Sequence, residues 1–313
     1  MSVIYVCGHQ RPDNDAIMSS VILSQLLNAT NDGNTYVPRR LGEVPPESAA
    51  MLKNWGFPIP EFLEEIEPAE EGQEPQKVIL TDHNEAGQSI PGIENAQIFG
   101  VIDHHRIGDF SASNPIMFIT MPWGSTCSIV WYLFKCYNIE PTLAQSCCLL
   151  SAMMTDTVMT KSPTTTDIDR GFIAEIGEKW GFDPFAFGLN IFMNRPTDLY
   201  TPKEMVAHDI KQFNVGDKLV YIGQYETVNK SRALGMLPEL YQEMEAFRVE
   251  KGADTLALVI TDIMEEGSQL LVVGDVQPVE RGLNVTCCEE GIWLPGVLSR
   301  KKQLAAPILA AAE

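Results

Sequence analysis

Three short apolar runs near the start of the chain each end in a cluster of histidine and aspartate, and this repeated placement constrains the fold most. Residues 3–7, 77–80 and 98–102 read as buried strands. They are followed in turn by Gly8-His9-Gln10-Arg11-Pro12-Asp13-Asn14-Asp15-Ala16, by Thr81-Asp82-His83-Asn84 and by Asp103-His104-His105. Between and after the runs the period changes. Residues 16–27 place Ile17, Val21, Leu23 and Leu27 at helical spacing, with Asp13 or Asp15 available as N-cap. Residues 125–137 and 142–154 read as apolar helices, and Asp156 closes the second of them. Alternation of strand and helix predicts an α/β domain with a mostly parallel sheet flanked by helices. Polar motifs at strand ends then gather at the carboxyl edge of the sheet, where such folds bind ligands.

A second unit is expected beyond residues 194–201, which contain Pro196 and Asp198 and read as a linker. Thr201 and Pro202 open a helix predicted over residues 202–213. Residues 219–223, 255–261 and 270–273 alternate as strands, and residues 237–251 form a helix between them. The expected division is a domain over residues 1–190 and a smaller C-terminal α/β domain over 198–313.

The chain has 313 residues, enough for two such cores. No apolar run is long enough to span a membrane, and no basic stretch precedes the first strand, so neither a membrane segment nor a signal peptide is expected. The seven cysteines include no C-x-x-C pair, which fits reduced, buried thiols in a cytoplasm better than a disulfide framework or a zinc site. Net charge is −20, from 22 basic and 42 acidic residues, against the basic surface that nucleic-acid binding needs. Seven glutamates crowd between Glu61 and Glu74, a tract that reads as a solvated loop.

The chemistry lies in the convergence of the motifs. Any single Asp after a strand is more often a cap or turn residue, and His83 reads as a turn residue or as a partner behind a ligand. Taken together, four of the five histidines fall in the strand-end motifs. His9, Asp13, Asp15, Asp82, His104 and Asp156 supply enough groups for two cations, and mixed imidazole and carboxylate donors favour Mn, Zn, Fe or Co. Two close cations can hold one water between them and deliver hydroxide in line to phosphorus.

These motifs, with Asp156, resemble the DHH phosphoesterase superfamily. Asp209-Ile210-Lys211-Gln212-Phe213, Val259-Ile260-Thr261-Asp262-Ile263 and Ser299-Arg300-Lys301-Lys302-Gln303 narrow the resemblance to family II inorganic pyrophosphatases, in order along nearly the whole chain. The resemblance implies hydrolysis of pyrophosphate to two phosphates by a metal-bridged hydroxide, in a cleft between the two domains. It implies that His9 and Asp13 bind one metal, that Asp15, His104 and Asp156 bind the other, and that Asp82 bridges both. It assigns His105, Lys211, Arg300 and Lys301 to the substrate. The metals implied are two Mn2+ or Co2+, with Mg2+ accompanying the substrate, in a cytoplasmic homodimer. Asn14 stands where the family often has threonine, at a position that is not a ligand. The segment between Trp55 and Lys77 is too short for the regulatory insertion some members carry. On charge alone, Ser299–Lys302 is the densest basic tract and reads sooner as a solvated patch than as an anion grip; the resemblance reverses that order. The competing activities are an exopolyphosphatase or other DHH phosphoesterase, and a non-catalytic metal- or phosphate-binding regulator.

Overall fold

A computed structural model describes residues 2–193 and 200–311. The expected linker, with Pro196 and Asp198, falls mostly on residues 194–199, outside the described residues. The chain separates into two compact units. One comprises Met1–Thr160 and Thr164–Ile191, the other Lys161–Pro163 and Phe192–Glu313.

The first unit is a six-stranded sheet in the order β3-β2-β1-β4-β5-β6. Its strands are β1 (Val3–Cys7), β2 (Thr35–Arg40), β3 (Glu61–Phe62), β4 (Lys77–Thr81), β5 (Gln97–Asp103) and β6 (Met117–Thr120). Every pairing is parallel. The helices are α1 (Asn14–Ala29), α2 (Pro46–Asn54), α3 (Thr126–Cys136), α4 (Leu143–Asp156), α5 (Asp167–Trp180) and α6 (Pro184–Met193). Side chains alternate across a strand. Cys7, Val78, Leu80 and Val101 therefore share one face, where they cluster with Leu41, Ile66 and Ile90. Ile4, Val6, Ile79 and Ile102 are buried on the other, the side of α1 and α3. Helix α1 is buried on nearly all sides because it packs on the sheet and on α3 and α4 together. The α3 and α4 helices begin where expected, capped by Ser125 and Thr142.

Two details depart from the sequence expectations. Strand β2 carries Pro38, which hides it from a pattern search. It is tolerated because β3 pairs only with Arg39 and Arg40, leaving the outer side of Pro38 without a ladder partner. The glutamate tract is not wholly solvated. Its seven glutamates are all exposed, but Leu63 and Ile66 pack into the core, and the Ile66 N–H donates to the Pro91 carbonyl at 3.0 Å.

The second unit is a five-stranded mixed sheet in the order β11-β10-β9-β8-β7. Its strands are β7 (Ile210–Val215), β8 (Lys218–Thr227), β9 (Thr255–Asp262), β10 (Gly267–Gly274) and β11 (Ile292–Pro295). Only β8 and β9 pair in parallel. The helices are α7 (Pro202–Ala207), α8 (Lys230–Leu234), α9 (Leu237–Glu250), α10 (Gln277–Leu283) and α11 (Ala306–Ala310), the last preceded by a π-helical stretch, Arg300–Ala305. Central β9 is buried at every position, with Leu256, Leu258 and Ile260 in one core and Ala257 and Val259 in the other. Thr201 caps α7 in a reciprocal capping box with Glu204. The helix predicted over residues 202–213 is too long: it stops at Ala207, and Ile210–Val215 is an edge strand against β8.

All seven cysteines are free. Four are buried, while Cys136 and Cys288 are exposed and Cys287 is intermediate, so burial accounts for only part of the set. Among the described residues no helix is long and apolar enough to cross a membrane.

Candidate metal centre

The strand-end motifs meet at the carboxyl edge of the parallel sheet. After β1 the chain turns at once into α1, and Gly8 is required there, since a Cβ on it would lie 2.5 Å from the Ala16 carbonyl oxygen. Asp13, not Asp15, is the N-cap. Its Oδ1 accepts the Ala16 N–H at 2.9 Å, and its Oδ2 stands 3.7 Å from His9 Nε2.

Asp82 follows β4, almost wholly buried at 1% exposure. Its φ is +62°, a left-handed conformation that costs a non-glycine residue on the order of 1 kcal/mol or more. Neighbours hold it there: its N–H donates to Ile102 O at 3.0 Å, and His83 Nδ1–H reaches back over it to Thr81 O at 2.9 Å. This geometry divides the carboxylate. Oδ2 is 3.4 Å from His9 Nε2, and Oδ1 is 3.4 Å from His104 Nε2. His104 Nε2 is also 3.4 Å from Asp156 Oδ2, at the end of α4.

Asp15 is buried against the N-terminus of α3. Its Oδ1 accepts from Ser125 Oγ at 2.8 Å and Cys127 N–H at 3.0 Å, and its Oδ2 accepts from Thr126 N–H at 2.6 Å. Thr126 Oγ1 donates to Asp82 Oδ1 at 3.0 Å. A helix N-terminus, with free N–H groups and its positive dipole end, favours ionised carboxylates. Asp169 anchors this corner, accepting from Gly124 N–H at 2.8 Å and Ser128 Oγ at 2.6 Å. Asn14 is no ligand. Its amide donates to Ser151 and Thr155 of α4 and accepts from Ser48 of α2, tying the Asp13–Asp15 turn to the helix that carries Asp156.

Three groups each bring their ligand atoms within 4.8 Å of one another: His9, Asp13 and Asp82; Asp15, His104 and Asp156; and Asp82, His104 and His105. The donor chemistry fits divalent cations. His9 Nδ1–H donates to Gln10 O at 2.8 Å and His104 Nδ1–H to Trp123 O at 2.9 Å. Each imidazole thereby turns its Nε2 lone pair toward the carboxylates, the orientation of a metal-binding histidine. The chain alone carries the crowding as displaced protons. Burial, then the Asp82 charge, push the Asp15 carboxyl up to about 7. Burial and Asp15 likewise raise Asp156 well above the carboxylate range. Burial opposes charging His9, yet the Asp13 and Asp82 carboxylates that accept from its ring raise it to about 12. A divalent cation relieves this repulsion as a proton does, with more charge.

His105 is held differently. Its Nδ1 lies 2.9 Å from Asp103 Oδ1 and 3.8 Å from Asp82 Oδ1, so Asp103 takes that nitrogen. His83 lies outside the three sets. Its Nε2 is buried without a partner among the described residues, and burial lowers its pKa to about 4.

The predicted substrate cations belong to the second unit. Lys211 is exposed on β7, and Lys301 is exposed in the π-helical stretch. Arg300 is buried rather than solvated. Its Nη1 donates to the Asp209 carbonyl at 2.6 Å and pairs with the Asp209 carboxylate at 2.9 Å, two residues before Lys211. Its backbone N–H donates to Gln224 Oε1 at 3.2 Å. The supporting roles of Ser125, Thr126 and Asp169 are not legible in the sequence; the only signal is the position of Ser125 and Thr126 before an apolar helix, which serves equally for an ordinary cap.

Comparison with known proteins adds an independent line. Residues 3–157 match the family model described as DHH family, N-terminal domain, and residues 196–312 match the DHHA2 domain. The probable manganese-dependent inorganic pyrophosphatase of Archaeoglobus fulgidus is 34% identical, over 98% of this chain and 97% of its own length. The manganese-dependent inorganic pyrophosphatase of Bacillus subtilis is 36% identical, over 99% and 98%. Among solved structures, a putative family II inorganic pyrophosphatase from Methanococcus jannaschii superposes with a TM-score of 0.78 at 33% identity, covering 99% of each chain. An exopolyphosphatase-related protein from Bacteroides fragilis, at TM-score 0.52 and 15% identity, shares the fold.

Proposed function

Because this chain belongs to the DHH family and, over its whole length, to the manganese-dependent inorganic pyrophosphatases, we propose that it hydrolyses pyrophosphate to two phosphates. The observation that carries this reading is the divided Asp82 carboxylate, one oxygen toward His9 and the other toward His104. A single carboxylate shared in this way suits two neighbouring cations. In this reading His9 and Asp13 would hold one Mn2+ or Co2+, Asp15, His104 and Asp156 would hold the other, Asp82 would serve both, and Mg2+ would accompany the substrate. When bound, the cations polarise water and phosphate oxygens. The protein groups do the rest. The α3 N-terminus holds the Asp15 carboxyl in place through three hydrogen bonds. His105 faces a phosphate oxygen through Nε2. Lys211, Arg300 and Lys301 neutralise the phosphates, with Arg300 able to grip two oxygens at once.

The test is phosphate release from pyrophosphate, tripolyphosphate and a dinucleotide, after chelation and repletion with single metals. Mn2+ should restore pyrophosphate hydrolysis beyond the level of Mg2+ alone, because the imidazole donors favour softer ions. Full turnover on Mg2+ alone, or a preference for either other substrate, would sink the assignment. The same membership supports a cytoplasmic homodimer, which sedimentation equilibrium would show as twice the 34.7 kDa chain mass.

A further inference from the structure

His105 is the proposed substrate group whose surroundings are most completely built. Its ring is half exposed, with a side-chain exposure of 44%, yet Nδ1 is fully committed to Asp103 Oδ1 at 2.9 Å. The backbone N–H of His105 donates to the same oxygen at 3.1 Å. Asp103 is wholly buried, with no exposed surface. Its other oxygen accepts from Asn84 Nδ2. Asn84 is oriented in turn by both ends of its amide. Nδ2 also donates to the Arg106 carbonyl at 3.0 Å, and Oδ1 accepts the Gly108 N–H. An amide placed between two acceptors on one side and a backbone donor on the other has one orientation, so Asp103 presents only an accepting oxygen to His105.

We propose that Asp103, steadied by Asn84, is a positioning residue that locks His105 as the Nδ1–H tautomer and leaves Nε2 as the nitrogen that serves the substrate. The proposal rests on the pyrophosphatase reading for the identity of that substrate. What the arrangement asks of Asp103 is orientation: with Nδ1–H held by its carboxylate, Nε2 is the ring nitrogen left to meet a phosphate oxygen. A carboxylate behind a histidine is a common device for fixing ring orientation and tautomer.

Asp103→Asn tests this with nearly unchanged shape. Asn84 donates to the new carbonyl oxygen, which turns the new amide NH2 toward His105 Nδ1 and makes that nitrogen an acceptor. In the Mg2+-loaded protein, side-chain 1H–15N correlation spectra should show His105 changing from the Nδ1–H to the Nε2–H tautomer. On pyrophosphate, kcat should fall by about ten- to a hundredfold with KM little changed, the scale of losing such a partner. In a double-mutant cycle, Asp103→Asn should add nothing to His105→Ala, because Asp103 acts only through that ring. Asn84→Ala, which leaves Asp103 in place, should give a smaller kcat loss in the same direction and serves if Asp103→Asn does not fold. An unchanged tautomer, an unchanged kcat, or additive losses in the cycle would overturn the proposal. A wild-type protein without pyrophosphatase activity would instead refute the functional reading, with the tautomer measurement still deciding the role of Asp103.

Discussion

At the residue scale the centre turns on Asp82. Its backbone is strained and its side chain faces two imidazoles that no other described carboxylate faces together. Asp82→Ala should therefore weaken both metal sites at once, beyond the roughly ten- to hundredfold typical of losing a supporting partner. Isothermal calorimetry with Mn2+ reads this directly, and loss at one site with the other intact would show that Asp82 is no bridge. Circular dichroism should be unchanged, since the residue ends a strand and lies outside the hydrophobic cores. The ligand candidates were legible because each sits in a short motif after an apolar run. Their relative roles were not, because a linear pattern cannot say which oxygen faces which ring. The capping choice between Asp13 and Asp15 shows the same limit: both fit the pattern, and only the packing of Asp15 under α3 decides it.

Among the elements, α3 does most for the centre. Its first turn supplies three hydrogen bonds to Asp15 and one to Asp82. Ser125 both caps the helix, accepting from Cys127 N–H at 3.0 Å, and donates to Asp15. Ser125→Ala should cost about 1 kcal/mol in urea denaturation, the usual value of an N-cap. It should also weaken metal binding at the Asp15, His104 and Asp156 set while sparing the His9 and Asp13 set. Equal weakening of the two would contradict the local role. Helix α7 and strand β7 show where pattern reading fails. Val206, Ile210 and Phe213 are spaced as on a helix, but the chain breaks at His208 and Asp209. There the Asp209 carbonyl accepts from Gln224 N–H at 2.8 Å and from Arg300. Both partners lie far along the chain, so this tertiary override left no local trace.

For the whole molecule, stability and charge are coupled through the centre. Stripped of divalent cations by a chelator, the chain must carry protons in their place. His9 is raised to about 12 from 6.5, so its contribution is full below 6.5 and is lost as pH rises. Asp15, raised to about 7 from 3.8, also disfavours the folded state as pH rises through that interval. His83, lowered to about 4 from 6.5, acts oppositely between those values. The unopposed window lies above 6.5. There the urea midpoint of the chelated protein should fall as pH rises to about 9, and saturating Mn2+ should flatten the dependence. A flat profile in chelator would contradict it. On the second unit, Arg300→Ala should lower turnover by roughly ten- to a hundredfold, the cost of about 1.5–3 kcal/mol for a charge-assisted contact. Wild-type kinetics would reduce the basic tract to a fold-stabilising partner of Asp209.

The placement of the six candidate ligands along the chain has a consequence during synthesis. They run from His9 to Asp156, and β6, the last strand of their sheet, ends at Thr120. Domains emerge from the ribosome in order and fold as units, N-terminal first. A nascent chain thus exposes the full ligand set before any strand of the second sheet exists. The ligand groups can therefore gather before the proposed substrate cations Lys211, Arg300 and Lys301 have been made.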